Sequence, residues 1–210
     1  YTTIGILGSG QLGRMLAIAA AQLSIKTHIF APDANSSPAG EMATTATTAA
    51  YDDYAALDQF AASVDVITSE FENVPSETMA HLSQFRPVSP GTRALHIAQH
   101  RVREKNFARQ HDILTPDFWH VTNTTSLHHA MAELQGRGVL KTCQLGYDGK
   151  GQIWIDPSDD LDASFAALGS DDAILEAAID FAAEASFLVA RTADGRISHF
   201  PASLNTHKNG

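Results

Sequence analysis

A glycine-rich segment near the amino terminus has the residue types and spacing of a phosphate-binding turn. Residues 8–13 read GSGQLG, follow an apolar stretch, and precede a run rich in alanine and leucine. Glycines allow a tight turn, and the exposed N–H groups at a helix start attract anions. Asp33 follows at about the distance at which a dinucleotide fold places its ribose-binding carboxylate. The pattern therefore predicts an anion site, with nicotinamide dinucleotide binding as an alternative.

Acidic residues follow the third predicted strand, residues 64–68. Glu70, Glu72 and Asn73 lie just beyond it, where the carboxyl ends of parallel strands bind ligands. Carboxylates and an amide suit a ligand that carries hydroxyl and amino groups. The alternative is local capping of a helix that begins near Ser76.

Basic side chains that could bind an anion occur in two further segments of the sequence. Arg101 and Lys105 are four residues apart and share one face of a predicted helix, where Glu104 could instead neutralise Arg101. Lys141 ends a predicted strand, and residues 146–151 contain three more glycines. Such a loop can close over phosphates, although a glycine-rich hairpin is the alternative.

Three polar residues near the carboxyl end are weaker candidates. Glu176 and Glu184 follow an apolar strand, and either could bind ribose hydroxyls or pair with lysines. His207 lies close to Asn205. The pair His128-His129 lacks a third ligand at metal spacing and is expected to lie on a solvated helix face.

Strands that alternate with helices must position these residues, which predicts an α/β fold with a parallel sheet in the amino-terminal half. A smaller α+β unit is expected after a boundary near residues 90–115. Asp194-Gly195 predicts a hairpin turn. The predicted strands are 3–7, 26–30, 64–68, 138–141, 152–155, 174–176, 187–191 and 197–200. One helix is predicted from just after residue 13 to Leu23, and the other predicted helices are 52–62, 93–110 and 126–134.

Composition excludes several classes of protein. The 210 residues carry a formal net charge of −10, which disfavours nucleic-acid binding. Apolar runs are too short to span a membrane, and one cysteine, Cys143, excludes an internal disulfide framework. These features predict a soluble, cytoplasmic protein that has no nucleic-acid or membrane partner.

Taken in order, the motifs resemble one family. GILGSGQLGRM, SEFENVP, VLK with GYDGKGQ, ILE with a second glutamate eight residues on, and N-x-H-x-N-G are similar to 5-(carboxyamino)imidazole ribonucleotide synthases, ATP-grasp ligases of purine biosynthesis. The resemblance implies a Rossmann-like pre-ATP-grasp α/β domain over 1–92 and a linking helix over 93–115. It further implies a small α+β ATP-grasp lid over 116–180 and the start of a carboxyl-terminal ATP-grasp domain over 181–210.

The resemblance also implies residue roles in ATP-dependent carboxylation of 5-aminoimidazole ribonucleotide by bicarbonate, through carboxyphosphate. Tyr147, Asp148 and Lys150 would act on the lid loop. The substrate ribonucleotide would bind at the sheet edge, with its 5-phosphate at the glycine-rich turn. The residues implied to bind ATP are Arg101, Lys141, Glu176, Ala178, Ile179, Glu184 and His207 (also catalytic, near the γ-phosphate), and those implied to bind the ribonucleotide are Gly10, Gln11, Leu12 and Glu72.

The resemblance has further consequences for cofactors and assembly. It implies ATP with Mg²⁺, a homodimer, and metal-binding carboxylates beyond residue 210, so no metal ligand is assigned within the chain. Cys143 stands in a lid segment where the family usually has basic residues. The alternatives are a noncatalytic ligand-binding fragment, another ATP-grasp ligase and, as the weakest, a nicotinamide-dependent dehydrogenase.

Overall fold

The chain folds into two compact units. The structure, a computed structural model, describes residues 2–146 and 151–206. The first unit covers Tyr1–His111 and the second Asp112–Gly210. No helix among the described residues is both long enough and apolar enough to cross a bilayer.

A parallel sheet forms the centre of the first unit, as the sequence predicts. Its strands lie in the order β3-β2-β1-β4, and all three pairings are parallel. The central strands are apolar on both sides because helices or loops cover both faces. Leu7 and Phe30 face one apolar cluster, and Ile6 and Ile29 face the other. The strands are β1 (Thr3–Leu7), β2 (Lys26–Ala31), β3 (Thr45–Thr48) and β4 (Val66–Ser69).

The helices of the first unit follow the strands, but one prediction about them is wrong. The expected single helix over 93–110 is interrupted at Gln99 and His100. The backbone of His100 is extended, and the amide Nε2 of Gln99 donates hydrogen bonds to the carbonyls of Glu72 and Val74. These anchors favour a break over a continuous helix. The helices are α1 (Gln11–Gln22), α2 (Tyr54–Ala62), α3 (Ser76–Leu82), α4 (Thr92–Ala98) and α5 (Arg101–Gln110).

An antiparallel sheet forms the core of the second unit. Its order is β5-β8-β6-β7, and two helices pack on one face over a buried cluster that includes Leu140 and Leu175. Two of these elements were not predicted, the strand at 118–121 and the helix at 161–168. The elements are β5 (Phe118–Val121), α6 (Thr124–Leu134), β6 (Gly138–Thr142), β7 (Gln152–Ile155), α7 (Leu161–Leu168) and β8 (Ala173–Ala177).

Two short antiparallel pairs complete the second unit. The hairpin predicted at Asp194-Gly195 is confirmed, and Gly195 has the positive φ of 87° that such a turn requires. A second pair brings Asn205 opposite Glu184. The strands are β9 (Glu184–Ser186), β10 (Val189–Arg191), β11 (Ile197–His199) and β12 (Ser203–Asn205).

Candidate functional site

The glycine-rich turn joins β1 to α1, and a carboxylate lies against it. Gly8 has a φ of 106°, which favours glycine. Gly10 N–H donates to Glu70 Oε1 at 2.8 Å. A Cβ on Gly8 would lie 2.5 Å from the same oxygen. The absence of a side chain at Gly8 therefore lets the side chain of Glu70 approach the start of α1.

The surroundings of this turn are negatively charged. Burial raises the pKa of Tyr51 to about 12, with further contributions from the charges of Glu70 and Asp33. Asp33 accepts a hydrogen bond from the Ser9 hydroxyl at 2.5 Å. Because these carboxylates would repel an anion, a ligand that donates hydrogen bonds is better matched to this edge of the sheet than an anionic ligand.

Two other predicted ribonucleotide contacts belong to the glycine-rich segment itself. Gln11 and Leu12 are the first two residues of α1, and both are exposed. Glu72 is exposed, and its carbonyl holds Gln99 as described above. Of the two glutamates in this segment, Glu70 is the one that contacts the turn. The resemblance implied Glu72 as the ligand contact, and that assignment stays a prediction; spacing alone does not show which of the two side chains faces the turn.

The predicted ATP-binding residues are divided between the two units. Arg101 begins α5 in the first unit, with Lys105 one turn later on the same helix. In the second unit, one cavity of about 610 Å³ brings together five candidates, which are Lys141, Glu176, Ala178, Ile179 and Glu184. This volume is in the range of small-molecule sites.

Strand pairing explains why two of these residues, Lys141 and Glu176, meet. Lys141 on β6 pairs with Ile174 on β8, and Val139 pairs with Glu176. Residues two apart on a strand share a face, so Lys141 and Glu176 point to the same side of the sheet. The opposite face carries Leu140 and packs on the helices. The cavity therefore lies on the face of the sheet that the helices leave uncovered.

An ion pair fixes the charged part of the cavity. Lys141 Nζ lies 3.0 Å from Glu176 Oε2, and Glu176 is only 7% exposed. Because an ammonium has three N–H donors, a bond to Glu176 leaves capacity for the oxygens of a phosphate. The arrangement holds a cation at the cavity wall without leaving a buried carboxylate unpaired.

The rest of the lining suits a nucleoside. Val139, Trp154, Ile179 and Phe181 supply apolar surface that could cover a base. Glu184 Oε1 accepts a hydrogen bond from Asn205 Nδ2 at 2.7 Å, which orients its carboxylate. A fixed carboxylate of this kind can accept hydrogen bonds from two adjacent hydroxyls. The cavity thus offers surfaces for a base, a sugar and a phosphate.

Four predicted catalytic residues lie outside the described residues. They are Tyr147, Asp148, Lys150 and His207. Their assignments stay predictions from the sequence.

Comparison with known proteins gives the order of domains that the resemblance implied, with a preATP-grasp domain ahead of an ATP-grasp domain. Residues 1–99 match the model of the ribonucleotide synthetase preATP-grasp domain, and residues 106–210 match the model of the ATP-grasp domain. The chain is 44% identical, over its whole length, to the N5-carboxyaminoimidazole ribonucleotide synthase of Brucella melitensis and 43% identical, over 99% of its length, to that of Pseudomonas aeruginosa. It spans 58% and 57% of those relatives, respectively.

A solved structure shares the fold over nearly the whole chain. The N5-carboxyaminoimidazole synthetase from Staphylococcus aureus, solved as a complex with ADP, has a TM-score of 0.94 and 32% sequence identity. The comparison covers 99% of this chain and 56% of that one. With the matched domain models, this likeness establishes that the chain belongs to the ATP-grasp family and carries a ribonucleotide synthetase preATP-grasp domain ahead of its ATP-grasp domain.

Proposed function

We propose that this protein is an ATP-dependent carbon–nitrogen ligase of purine biosynthesis. It joins bicarbonate to the exocyclic amine of 5-aminoimidazole ribonucleotide and releases ADP and phosphate. The observation that carries the proposal is the cavity of the second unit, where Lys141, Glu176 and Glu184 meet beside an apolar surface. Similarity to N5-carboxyaminoimidazole ribonucleotide synthases over the whole chain supports this choice of substrate.

Each lining residue has a defined task in phosphoryl transfer from ATP. Lys141 donates hydrogen bonds to phosphate oxygens, while Glu176 holds its ammonium at the wall. Glu184 accepts hydrogen bonds from the ribose, and the backbone of 176–179 lies against the adenine. Bicarbonate oxygen attacks the γ-phosphorus, and the bond from that phosphorus to the ADP oxygen breaks. Because little covalent chemistry falls to the protein, positioning and charge stabilisation dominate.

The second half of the reaction transfers carbon. Carboxyphosphate releases carbon dioxide and phosphate, and the amine nitrogen forms a bond to that carbon and loses a proton. Water must be excluded because it would hydrolyse carboxyphosphate. Tyr147, Asp148 and Lys150 are proposed to act on this intermediate, and His207 near the γ-phosphate.

The expected magnesium ion does not fit the carboxylates that line this cavity. Glu176 is paired with an ammonium, and Glu184 is held by an amide. Mg²⁺ instead requires several oxygen ligands in octahedral geometry. No step described above therefore depends on a metal ion held by these two residues. Magnesium dependence, a homodimer and a cytoplasmic location stay predictions of the resemblance.

Formation of ADP tests the proposed reaction. ADP is measured from ATP, Mg²⁺ and bicarbonate, with and without 5-aminoimidazole ribonucleotide, for this chain and for any longer product of the same gene. Release that depends on the ribonucleotide supports the proposal. Release that ignores it indicates another ATP-grasp ligase, whereas no release from either protein leaves a binding protein and contradicts the enzyme assignment.

The ribonucleotide is proposed to bind at the glycine-rich turn through groups that donate hydrogen bonds. The resemblance suggested its 5-phosphate here, with Glu72 as a contact. Glu70 already accepts the Gly10 N–H, so a phosphate at this amide would meet a carboxylate. Hydroxyl or amino groups of the ligand would instead donate to Glu70 or Glu72. The geometry therefore favours the sugar or the amine at the turn.

Substitution of Glu70 by glutamine separates these two modes of binding. The amide keeps an acceptor for Gly10 N–H but loses the charge. If Glu70 accepts from the ligand, KM for the ribonucleotide should rise about 10-fold, while KM for ATP stays unchanged. If a phosphate binds at the turn, the same change removes a repulsion and lowers KM. Glu77→Gln is a matched control, since Glu77 is an exposed glutamate in the first turn of α3.

A further inference from the structure

Three side chains with metal-binding chemistry converge at one end of the sheet in the second unit. They are His120 on β5, Cys143 just after β6, and Asp172 just before β8. The three residues are far apart along the chain, and their spacing in the sequence predicts no site. The mechanism proposed above uses none of them either.

Strand register brings the three side chains together. Cys143 N–H donates to the carbonyl of Asp172 at 2.9 Å, which continues the pairing of β6 with β8. On the other side of β8, His120 pairs with Ile174, two residues beyond Asp172. Alternation along the strands therefore puts the three side chains on the face opposite the one packed on α6 and α7.

The donor atoms are close enough to share one ion. One ligand atom from each residue lies within 4.8 Å of the others, and His120 Nε2 is 2.8 Å from Asp172 Oδ1. In a tetrahedral zinc site with ordinary bond lengths, ligand atoms lie about 3.3 to 3.8 Å apart. Rotation of exposed side chains supplies a shift of about 1 Å, and those of His120 and Asp172 are 45% and 41% exposed.

The donor set selects a class of ion. A thiolate, an imidazole and a carboxylate are ligands of zinc and cobalt, whereas Mg²⁺ and Ca²⁺ prefer oxygen alone. The thiol itself is buried, which is the usual setting of a structural ligand rather than a reactive cysteine.

We propose that His120, Cys143 and Asp172 bind one divalent ion of the zinc type. Bonds form from the ion to Sγ, to one imidazole nitrogen and to one carboxylate oxygen. The thiol proton passes to solvent, and the neutral ring keeps its proton on the other nitrogen. No oxidation or reduction takes place. The proposed ligase reaction uses none of these three side chains, so either proposal can fail without the other.

Cobalt serves as the probe because its spectrum reports sulfur ligation directly. The tag-free protein is titrated with Co²⁺, and then with Zn²⁺ in competition, while native mass spectrometry counts bound ions. We expect one ion per chain, visible bands of a tetrahedral ion, and a sulfur-to-cobalt charge-transfer band in the near ultraviolet. Excess Mg²⁺ should displace neither ion.

Variants of the three ligands should abolish these signals. Cys143→Ala and Cys143→Ser should remove the charge-transfer band and weaken Zn²⁺ binding by at least about 100-fold, more than the loss of an outer partner of a ligand. His128→Ala is the matched control. It removes another exposed histidine paired with an aspartate, Asp162, at 3.1 Å, and should leave the cobalt spectrum unchanged.

Other results would overturn the proposal. A cobalt-saturated protein without the charge-transfer band, or a Cys143→Ala variant with an unchanged spectrum, excludes the thiolate ligand. Circular dichroism without metal checks that the variants fold. Should the cysteine variants unfold, Asp172→Asn tests the same site from an exposed position. Zn²⁺ affinity unchanged in Asp172→Asn would equally exclude the proposed ligand set.

Discussion

Replacement of Lys141 by methionine is expected to lower kcat/KM for ATP by at least about 100-fold. Methionine retains the apolar stem but removes the ammonium that is proposed to donate to the phosphates. Loss of one preorganised donor to developing negative charge costs about 100- to 1,000-fold in comparable sites. Steady-state ADP formation at saturating ribonucleotide measures the effect. An unchanged kcat/KM would contradict the assignment of Lys141.

The effect of Lys141→Met on stability, through the lost ion pair with Glu176, must be distinguished from its effect on catalysis. Without Lys141 the 7% exposed carboxylate of Glu176 loses its cation, which should lower the free energy of unfolding by about 1 to 3 kcal/mol. Combining Lys141→Met with Glu176→Gln also removes the charge of the carboxylate and should recover stability but not activity. If the double variant regained activity, the lysine would have a structural role only. Lys141→Arg, which keeps the charge, should lose less than methionine does.

Replacement of Gly40 by alanine is expected to lower the free energy of unfolding by about 3 kcal/mol or more. A Cβ at this position would lie 1.8 Å from the carbonyl oxygen of Ala34, which is backbone and has no rotamer to adopt. Gly40 N–H also donates to Ser37 Oγ, which in turn donates to Ala34 O. The segment must therefore open to admit a single methyl group. Urea unfolding followed by circular dichroism measures the loss.

A control substitution at another glycine and a second measurement at the glycine-rich turn test the same steric argument. Gly136→Ala is the control, since the nearest atom to its added Cβ would be 3.8 Å away. Ala39, next to Gly40, donates its N–H to the carbonyl of Ser9 in the glycine-rich turn. Gly40→Ala should therefore also raise KM for the ribonucleotide at temperatures where the protein stays folded. Equal stabilities of the two variants would refute the steric argument.

The local pattern of apolar and polar residues was enough to predict much of the fold. The apolar run 3–7 forms β1 at the predicted bounds, and the pairing of β1 with β2 and β4 is parallel. Helix ends were predicted to within two residues where the apolar period was strong, as at Tyr54–Ala62 and Thr124–Leu134. The hydrophobic pattern did not predict elements whose backbone conformation depends on contacts with neighbouring segments. The strand Thr45–Thr48 is polar and pairs because β2 offers it an edge.

The sequence by itself determined which chemistry the chain carries, because residue types and their order do not depend on folding. The resemblance named Lys141, Glu176 and Glu184 as ATP-binding residues from the sequence. Tertiary structure alone decided which groups touch. Glu70 rather than Glu72 contacts Gly10, and Cys143 lies beside His120 and Asp172. Such contacts depend on strand register and on loop anchors like Gln99, which arise from packing between segments distant in sequence.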